Sequence, residues 1–430
     1  MSEDRSPAAD VTIVGGGIAG TTAAYALAKR GARVRLIERR SIGAVQSGRN
    51  WGFTRRQGCD PLEVGLVQEA WCEWGKLAEE IPDLGLVRRG LIGVADTEAR
   101  MTQFRSWMKE TNAAEIFGTR LVSSEDVREL VPALTGEWLG GMYTPDDGHA
   151  QPDKATQAIG TAAARAGATI ELGTTVLGIT RTGDCVTGVR TDRGDRPTGT
   201  VILAAGAWSG RLLRVIGIDL PIRWVRGTAA QTTPAAPITA LSVSTPPVGF
   251  CQEEDGKIRF GTAAWADHDI SLESLRHFRI FLPNYLKNRK MFRMHIDRFF
   301  VEDLVRRVPA PRRNPFDWPR VDEPPPSRPK IERAFRDLVR LIPSLQGARI
   351  DRMWAGYIDV TPDALPVIGP VKGVEGLLLA TGLSSHGFGV GPAVGASVAR
   401  LALGCAPSVD LAPFAFERFE HARIAPRAHL

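Results

Sequence analysis

Gly15, Gly17 and Gly20 stand at a spacing that serves one kind of chemistry, the holding of a doubly charged pyrophosphate. Gly15 permits a tight turn, Gly17 lets the backbone approach the phosphates, and Gly20 lets a helix pack close to a strand. Ile18 and Ala19 open that helix, whose end offers N–H groups and a positive dipole to an anion. Glu38, with Arg39 beside it, lies 18 residues beyond Gly20. A carboxylate there accepts both ribose hydroxyls and repels a 2′-phosphate. The expected ligand is an adenine dinucleotide without that phosphate.

The elements needed to position these residues are present. Residues 11–14 form a β-branched strand, an Ala-rich helix follows the glycines, and residues 33–37 form a second strand ending at Glu38. The chain then returns towards the ligand. Gln46, Ser47, Gly48, Arg49, Asn50, Trp51 and Gly52 make an aperiodic loop that would pass over the phosphates towards the reactive ring. Strand 201–205 breaks at Ala205-Gly206, ahead of Trp208. Strand 376–381 ends at Gly382, and a turn containing His386, Gly387, Phe388 and Gly389 leads to a helix from Ala393.

Between these returns, residues 86–94 read as a strand pair or a bent strand. Helices are expected over 97–112, 123–130 (capped by Ser123) and 154–166. Strands are expected over 140–144, 168–172, 174–180, 184–190 and 199–204.

The chain has 430 residues, too many for one compact core. No apolar run reaches the ~18 residues of a membrane span, and no signal peptide opens the sequence. Five scattered cysteines without a CxxC pair argue against disulfides or zinc and for a reducing cytoplasm, each thiol serving as a small hydrophobe. The net charge of +6 is uneven: residues 271–350 carry 18 Lys or Arg against 9 Asp or Glu, leaving the remainder slightly acidic. No nucleic-acid motif accompanies this charge, so no nucleic-acid partner is expected.

That basic segment has a pattern of its own. Leu275, Phe278, Leu282, Tyr285 and Leu286 recur at helical spacing, as do Phe292, Ile296, Phe299, Phe300 and Leu304. Pro283 should break or kink the first helix. Residues 319–329 form a stiff Pro-rich linker, and 331–342 a further amphipathic helix. The preferred reading is a helical insertion, about 271–345, folded over the substrate mouth. The alternatives are contact with an acidic membrane surface or an electron-accepting partner, and a solvated face.

Taken together, the N-terminal unit, Ser47 to Asn50, Leu203 to Ser209, Trp354 to Tyr357, Thr361-Pro-Asp363 with Pro366 to Gly369, and Gly382 to Pro392 resemble the FAD-dependent D-amino acid oxidase superfamily. That superfamily includes glycine oxidase, sarcosine oxidase and D-amino acid dehydrogenase. The resemblance implies an α/β (α+β) fold: a discontinuous Rossmann-like FAD-binding domain (1–60, 145–215 and 350–430) and a mixed-sheet substrate domain (61–144 and 216–349). It also implies cofactor contacts at Gly15, Gly17, Gly20, Glu38, Ser47, Arg49 and Asn50, with Val176 at the adenine. Gly382, His386, Gly387, Phe388 and Gly389 match the loop beneath the flavin's pyrimidine end. Ser-Ser-His386 stands where flavin hydroxylases carry Ala-Ala-His, and no second GxGxxG is present, which speaks against that class.

Two departures stand out. The Arg that commonly binds a substrate carboxylate in amino-acid oxidases falls at Ile358, so Arg226, Arg223, Arg352 and Arg49 are substitutes, with Tyr357 a hydrogen-bond donor. Sarcosine oxidases tether FAD through a Cys near this segment, where Ala355 and Gly356 offer no thiol, so non-covalent FAD is expected. Tyr357, His386 and Arg49 are the candidate catalytic residues. Trp51, Phe53, Arg226, Arg352 and Tyr357 are the substrate candidates, the two aromatics reading equally as flavin wall or core. His149 and His386 read as structural rather than basic, and the remaining histidines as surface residues; Arg55 and Arg56 read as solvated.

The expected reaction is oxidation of a C–N bond in an amino acid or amine by hydride transfer to flavin N5, giving an imine, with O2 or another acceptor reoxidising the flavin. The alternatives are a tailoring oxidase acting on a larger C–N or C–OH group, and a flavoprotein whose main role is partner binding.

Overall fold

The computed structural model describes residues 9–262, 266–289, 292–296, 300–301 and 323–421. Two large sheets face a common cavity. The first has the strand order Val176–Thr182, Cys185–Thr191, Val374–Thr381, Gly194–Leu203, Ala9–Val14, Val34–Glu38 and Thr169–Leu172, with Val367–Val371 beside Val374–Thr381. Its central strands run parallel, as a strand–helix–strand connection requires. Alternation along them feeds two cores. Ile13, Leu36 and Ile202 pack against helices Ile18–Ala28 and Gly387–Ala402, while Val14, Ile37, Leu203 and Leu379 face the other way, towards Leu213.

The two helices on the first face approach closely because small residues line their seam. A Cβ on Gly395 would lie 2.5 Å from the Ala19 carbonyl oxygen, so only glycine fits there. This also explains a difference from the sequence reading. The C-terminal helix starts at Gly387 and not at Ala393, since packing against Ile18–Ala28 overrides the low helix propensity of Gly389, Gly391 and Pro392.

The second sheet runs Phe292–His295, Ala266–Asp269, Arg223–Thr232, Ile258–Gly261, Gly249–Gln252, Ser242–Ser244, Leu91–Ala95, Gly140–Thr144 and Arg120–Ser123. Ile350–Val360 pairs with Arg223–Thr232 along their length, setting Tyr357 opposite Arg226 and Gly356 opposite Gly227. Residues 350–360, grouped with the cofactor segments by sequence, thus form a strand of this sheet. Helix Arg328–Leu341 buries Ile331, Ala334 and Leu338 against Phe250 and Phe260. A small third sheet joins Phe53–Thr54, Gly148–His149 and Val87–Arg88.

The basic segment differs most from its pattern. Residues Phe292–His295 form a strand parallel to Ala266–Asp269, because that strand offers an open edge there. Phe299 and Leu304 lie outside the described residues. Helix Phe278–Asn288 runs through Pro283, and the chain breaks instead at His277, after Leu272–Arg276. Of the Pro-rich stretch, Glu323 bonds to Arg40 and Arg49 and the Pro325 carbonyl to Arg226, so this part is pinned and not a free spacer. Pro329 lies in the first turn of helix Arg328–Leu341. Leu275, Phe278, Leu286, Met294 and Ile296 are exposed. No helix among the described residues is long and apolar enough to cross a membrane.

Other expectations are corrected by burial. Cys185 and Cys405 are exposed and so are not core residues, unlike Cys59 and Cys251. His268 and His277 are buried rather than on the surface. Arg56 is not solvated: it is buried, and its Nε donates to Asp147 at 2.9 Å while the backbone N–H groups of Arg56 and Gln57 donate to the other oxygen.

Two outcomes follow from this burial. Asp147→Ala strands the Arg56 guanidinium without its carboxylate and should cost about 3–5 kcal/mol of stability, read from thermal unfolding; a loss within measurement error would show that water replaces the pair. His149 and His268 are each pushed down to about 4, chiefly by burial. Unfolded histidine takes up its proton near ~6.5, so below that pH the unfolded chain binds more protons. Stability should therefore hold above about pH 6.5 and fall towards pH 4, by up to roughly 3 kcal/mol per histidine. The fall should be shallower in His268→Gln; an unchanged slope would rule His268 out as a contributor.

Candidate active site

A cavity of about 710 Å3 runs between the sheets, and the returning segments form its walls. At one end the chain turns at Gly15, with φ +111°, where a Cβ would strike the Ala204 carbonyl. Gly15, Gly17, Ile18 and Ala19 line the wall, and Ser47 Oγ accepts from Ile18 N at 2.9 Å. A Cβ on Gly17 would come within 3.0 Å of that hydroxyl, so the passage for an anion over the helix end is kept open by the missing side chain. Gly20 lies one layer behind, against the Gly15 carbonyl.

Glu38 lines the same end, and its two oxygens accept from Gly16 N at 2.7 Å and Arg40 N at 2.8 Å. Arg39 stacks over Trp208 at 4.9 Å, and Val176, Ala205 and Gly206 complete this part of the lining. The loop after it is fastened by its own side chains. Asn50 Nδ2 donates to the carbonyl of Ser47, its Oδ1 accepts from Gly52 N, and Gln46 Nε2 donates to Asp359 at 2.8 Å. Gly48 sits behind this loop, against the Gly43 carbonyl.

Trp51, Phe53, Tyr357, Asp359, His386, Gly387, Phe388 and Gly389 line the other end. Trp51 and Phe53 meet edge to face, 6.0 Å apart. Ser384 and Ser385 hold left-handed backbone just ahead of the helix, stabilised by Ser384 Oγ hydrogen bonds to Thr361 and to the Gly382 carbonyl. Gly382 is behind the wall and donates its N–H to Asp359 at 2.7 Å. His386 Nδ1 lies 3.5 Å from Glu63.

The proposed catalytic and substrate residues separate into two groups. Tyr357 is buried, lines the cavity and donates its hydroxyl hydrogen to Asp269 at 2.9 Å. Arg49 lines the cavity but spends its guanidinium on the carbonyls of Ala44 and Ala355 and on Glu323. Arg226 does not line the cavity: it pairs with Asp269 at 3.1 Å, behind Tyr357. Arg352 is exposed, stacked on Trp354 at 5.5 Å, and does not line it either.

Several lining residues were missed by sequence reasoning. Arg55 lies deep in the molecule yet faces the cavity, and no hydrogen bond or ion pair among the described residues ends on its guanidinium. Burial pulls its pKa below the usual guanidinium range; the nearby acids Asp147 and Glu63 are engaged by Arg56 and His386. Arg100, Lys330 and Asp359 also line the cavity. Burial raises the Asp359 carboxyl above its ordinary value, against the hydrogen bonds from Gln46 and Gly382. The alternation along Ile350–Val360 places Asp359 on the same face as Tyr357, a signal the sequence did contain.

Comparison with known proteins agrees with this arrangement. A family model described as "FAD dependent oxidoreductase" matches residues 10–401. Glycine oxidase of Geobacillus kaustophilus is 26% identical over 421 residues, covering 95% of this chain and 97% of that protein. Mitochondrial dimethylglycine dehydrogenase of Mus musculus is 26% identical over 410 residues, but the chain spans only 41% of its length. The solved structure of L-amino acid deaminase from Proteus myxofaciens in complex with anthranilate shares the fold, with a TM-score of 0.90 at 24% identity over 97% of this chain and 95% of that one. That family model spans most of the chain: the chain belongs to the FAD-dependent oxidoreductase family.

Proposed function

We propose that the protein oxidises the C–N bond of an amino acid, with FAD held non-covalently across the cavity. The residues fit that cofactor. The helix end at Gly15, Gly17 and Ile18 suits the pyrophosphate, Glu38 the ribose, Val176 the adenine, and the 384–389 turn the pyrimidine end of the flavin. Cys59 is the one cysteine in the lining, and burial pushes its pKa up, keeping it a thiol and a poor nucleophile for a flavin tether. When bound, FAD would supply the two-electron acceptor for a hydride leaving the carbon that bears nitrogen.

The observation that favours an amino acid over a simple amine is electrostatic. The cavity wall carries Arg55, Arg100 and Lys330, while its described carboxylates, Glu38 and Asp359, are committed to N–H donors of the wall. A partly buried guanidinium whose nearby acids are engaged by other residues is costly, and an anionic substrate lowers that cost. Arg55 is therefore assigned to the substrate carboxylate, in place of the arginine absent at Ile358. Tyr357, fixed by Asp269 with Arg226 behind it, presents a phenol oxygen to the same space. Trp51 and Phe53 supply apolar wall that excludes water from the reacting carbon.

Three measurements test this reading. Anaerobic mixing with free and N-methylated α-amino acids should bleach the flavin, and the matching amines without a carboxylate should not; equal bleaching by both series would sink the amino-acid assignment. Arg55→Ala should weaken the effective amino acid by about 10- to 100-fold, as expected for a hydrogen bond between charged groups. Glu38→Ala should lower FAD retention through gel filtration, and unchanged flavin occupancy would remove Glu38 from the ribose site.

A further inference from the structure

We propose that Lys330 is the base that takes the proton from the substrate's ammonium group, and that Asp267 and His295 position it. This rests on the amino-acid reading above. An ammonium nitrogen has no lone pair to help expel a hydride from the neighbouring carbon, so a group in the cavity must accept its proton.

The other candidates in the lining are already occupied. Glu38 lies at the ribose end and is held by two backbone N–H groups. Asp359 accepts from Gln46 and Gly382 within the wall. His386 sits against Glu63, Tyr357 donates to Asp269, and Cys59 is a buried thiol. Lys330 remains.

Its placement is unusual for a lysine. It occupies the first turn of helix Arg328–Leu341, lines the cavity beside Thr228 and Phe292, and its side chain is only 2% exposed. Lysines are almost never buried so far unless they are paired. The nearest acid is Asp267, whose Oδ2 is 3.6 Å from Nζ and whose Oδ1 is bonded by His295 Nε2 at 2.9 Å. Asp269, two residues on, is taken by Arg226 and Tyr357. Lys330 therefore shares one carboxylate with His295, while Arg226 on one neighbouring strand and Arg293 on another add positive charge.

Burial is the largest influence on this amine, the two arginines act in the same sense, and Asp267 opposes them; the outcome is a pKa below that of ordinary lysine. A neutral amine is thereby brought within reach at moderate pH. In the transfer, the substrate's N–H bond breaks, an N–H bond forms at Nζ, and the electron pair stays on the substrate nitrogen. The lysine ammonium so formed faces Asp267, and its proton passes to solvent before the next turnover. His295, with 39% of its side chain exposed, is the member of the cluster that touches water.

The test is anaerobic flavin reduction by the amino acid that bleaches the wild type, followed from acid to alkaline pH in holoenzyme. The wild-type rate should rise through one ionisation to a plateau. Lys330→Met should be slower by about 10²–10⁴-fold and lose that ionisation. Lys330→Arg, which keeps the charge but does not give up its proton, should be equally slow. Both should retain FAD, and acetate, a carboxylate without an amine, should perturb their flavin spectra at wild-type concentrations. His295→Ala, at a half-exposed site, leaves Asp267 to Lys330 alone and should move the ionisation to higher pH.

Wild-type rates and pH profile in Lys330→Arg would reduce Lys330 to an ion-pair partner. Lost acetate binding in Lys330→Met would make it a carboxylate anchor. Either result overturns the proposal with the amino-acid reading intact, whereas a wild type that no amino acid reduces overturns that reading first.

Discussion

One buried carboxylate holds the cavity together. Asp359 accepts hydrogen bonds from Gln46 in the loop after the first strand–helix–strand unit and from Gly382 at the end of the last parallel strand. It sits on the strand that joins the second sheet to the cavity wall. Gln46 carries the link further by accepting from Ala207 N, in the segment after strand Gly194–Leu203. Four stretches distant in sequence thus converge on two side chains. In a low-dielectric wall such a group is costly when unpaired and strongly directing when paired, so its few partners fix where each segment ends.

The cavity is electrically divided as a result. Its nucleotide end offers backbone N–H groups, a helix dipole and one acid suited to a sugar. Its reactive end carries the side-chain cations Arg55, Arg100 and Lys330, and Asp267, which pairs with Lys330, stands behind the first layer. The two ends of one void thus differ in the groups they offer.

The sequence revealed the nucleotide end far better than the reactive end. Gly15, Gly17 and Glu38 were legible because a phosphate cradle depends on local turn geometry within one short stretch. Helices capped at Thr97 and Ser123 were legible for the same reason, their hydrogen bonds closing within a few residues. Arg55 and Lys330 were not, because their meaning comes from distant partners: acids near one that other residues engage, a strand reached across the fold by the other. Strand Phe292–His295 was misread as helix because a short apolar run fits both periods, and only its neighbour Ala266–Asp269 decides between them. Arg226 was placed in the cavity by sequence, yet register with Tyr357 and Asp269 turns it to the supporting layer.

The order of strands in the first sheet bears on how the chain is made. Ala9–Val14 lies between Val34–Glu38 and Gly194–Leu203, with Ala9 in register with Thr198. On a ribosome adding about 5–20 residues per second, the earliest strand keeps one open edge for on the order of 10–40 s. Ile13 and its neighbours also await the helix Gly387–Ala402, which is made much later still. The segment whose purpose is plainest in the sequence is thus completed long after it is made, and during that interval its β-branched edge is open to mispairing.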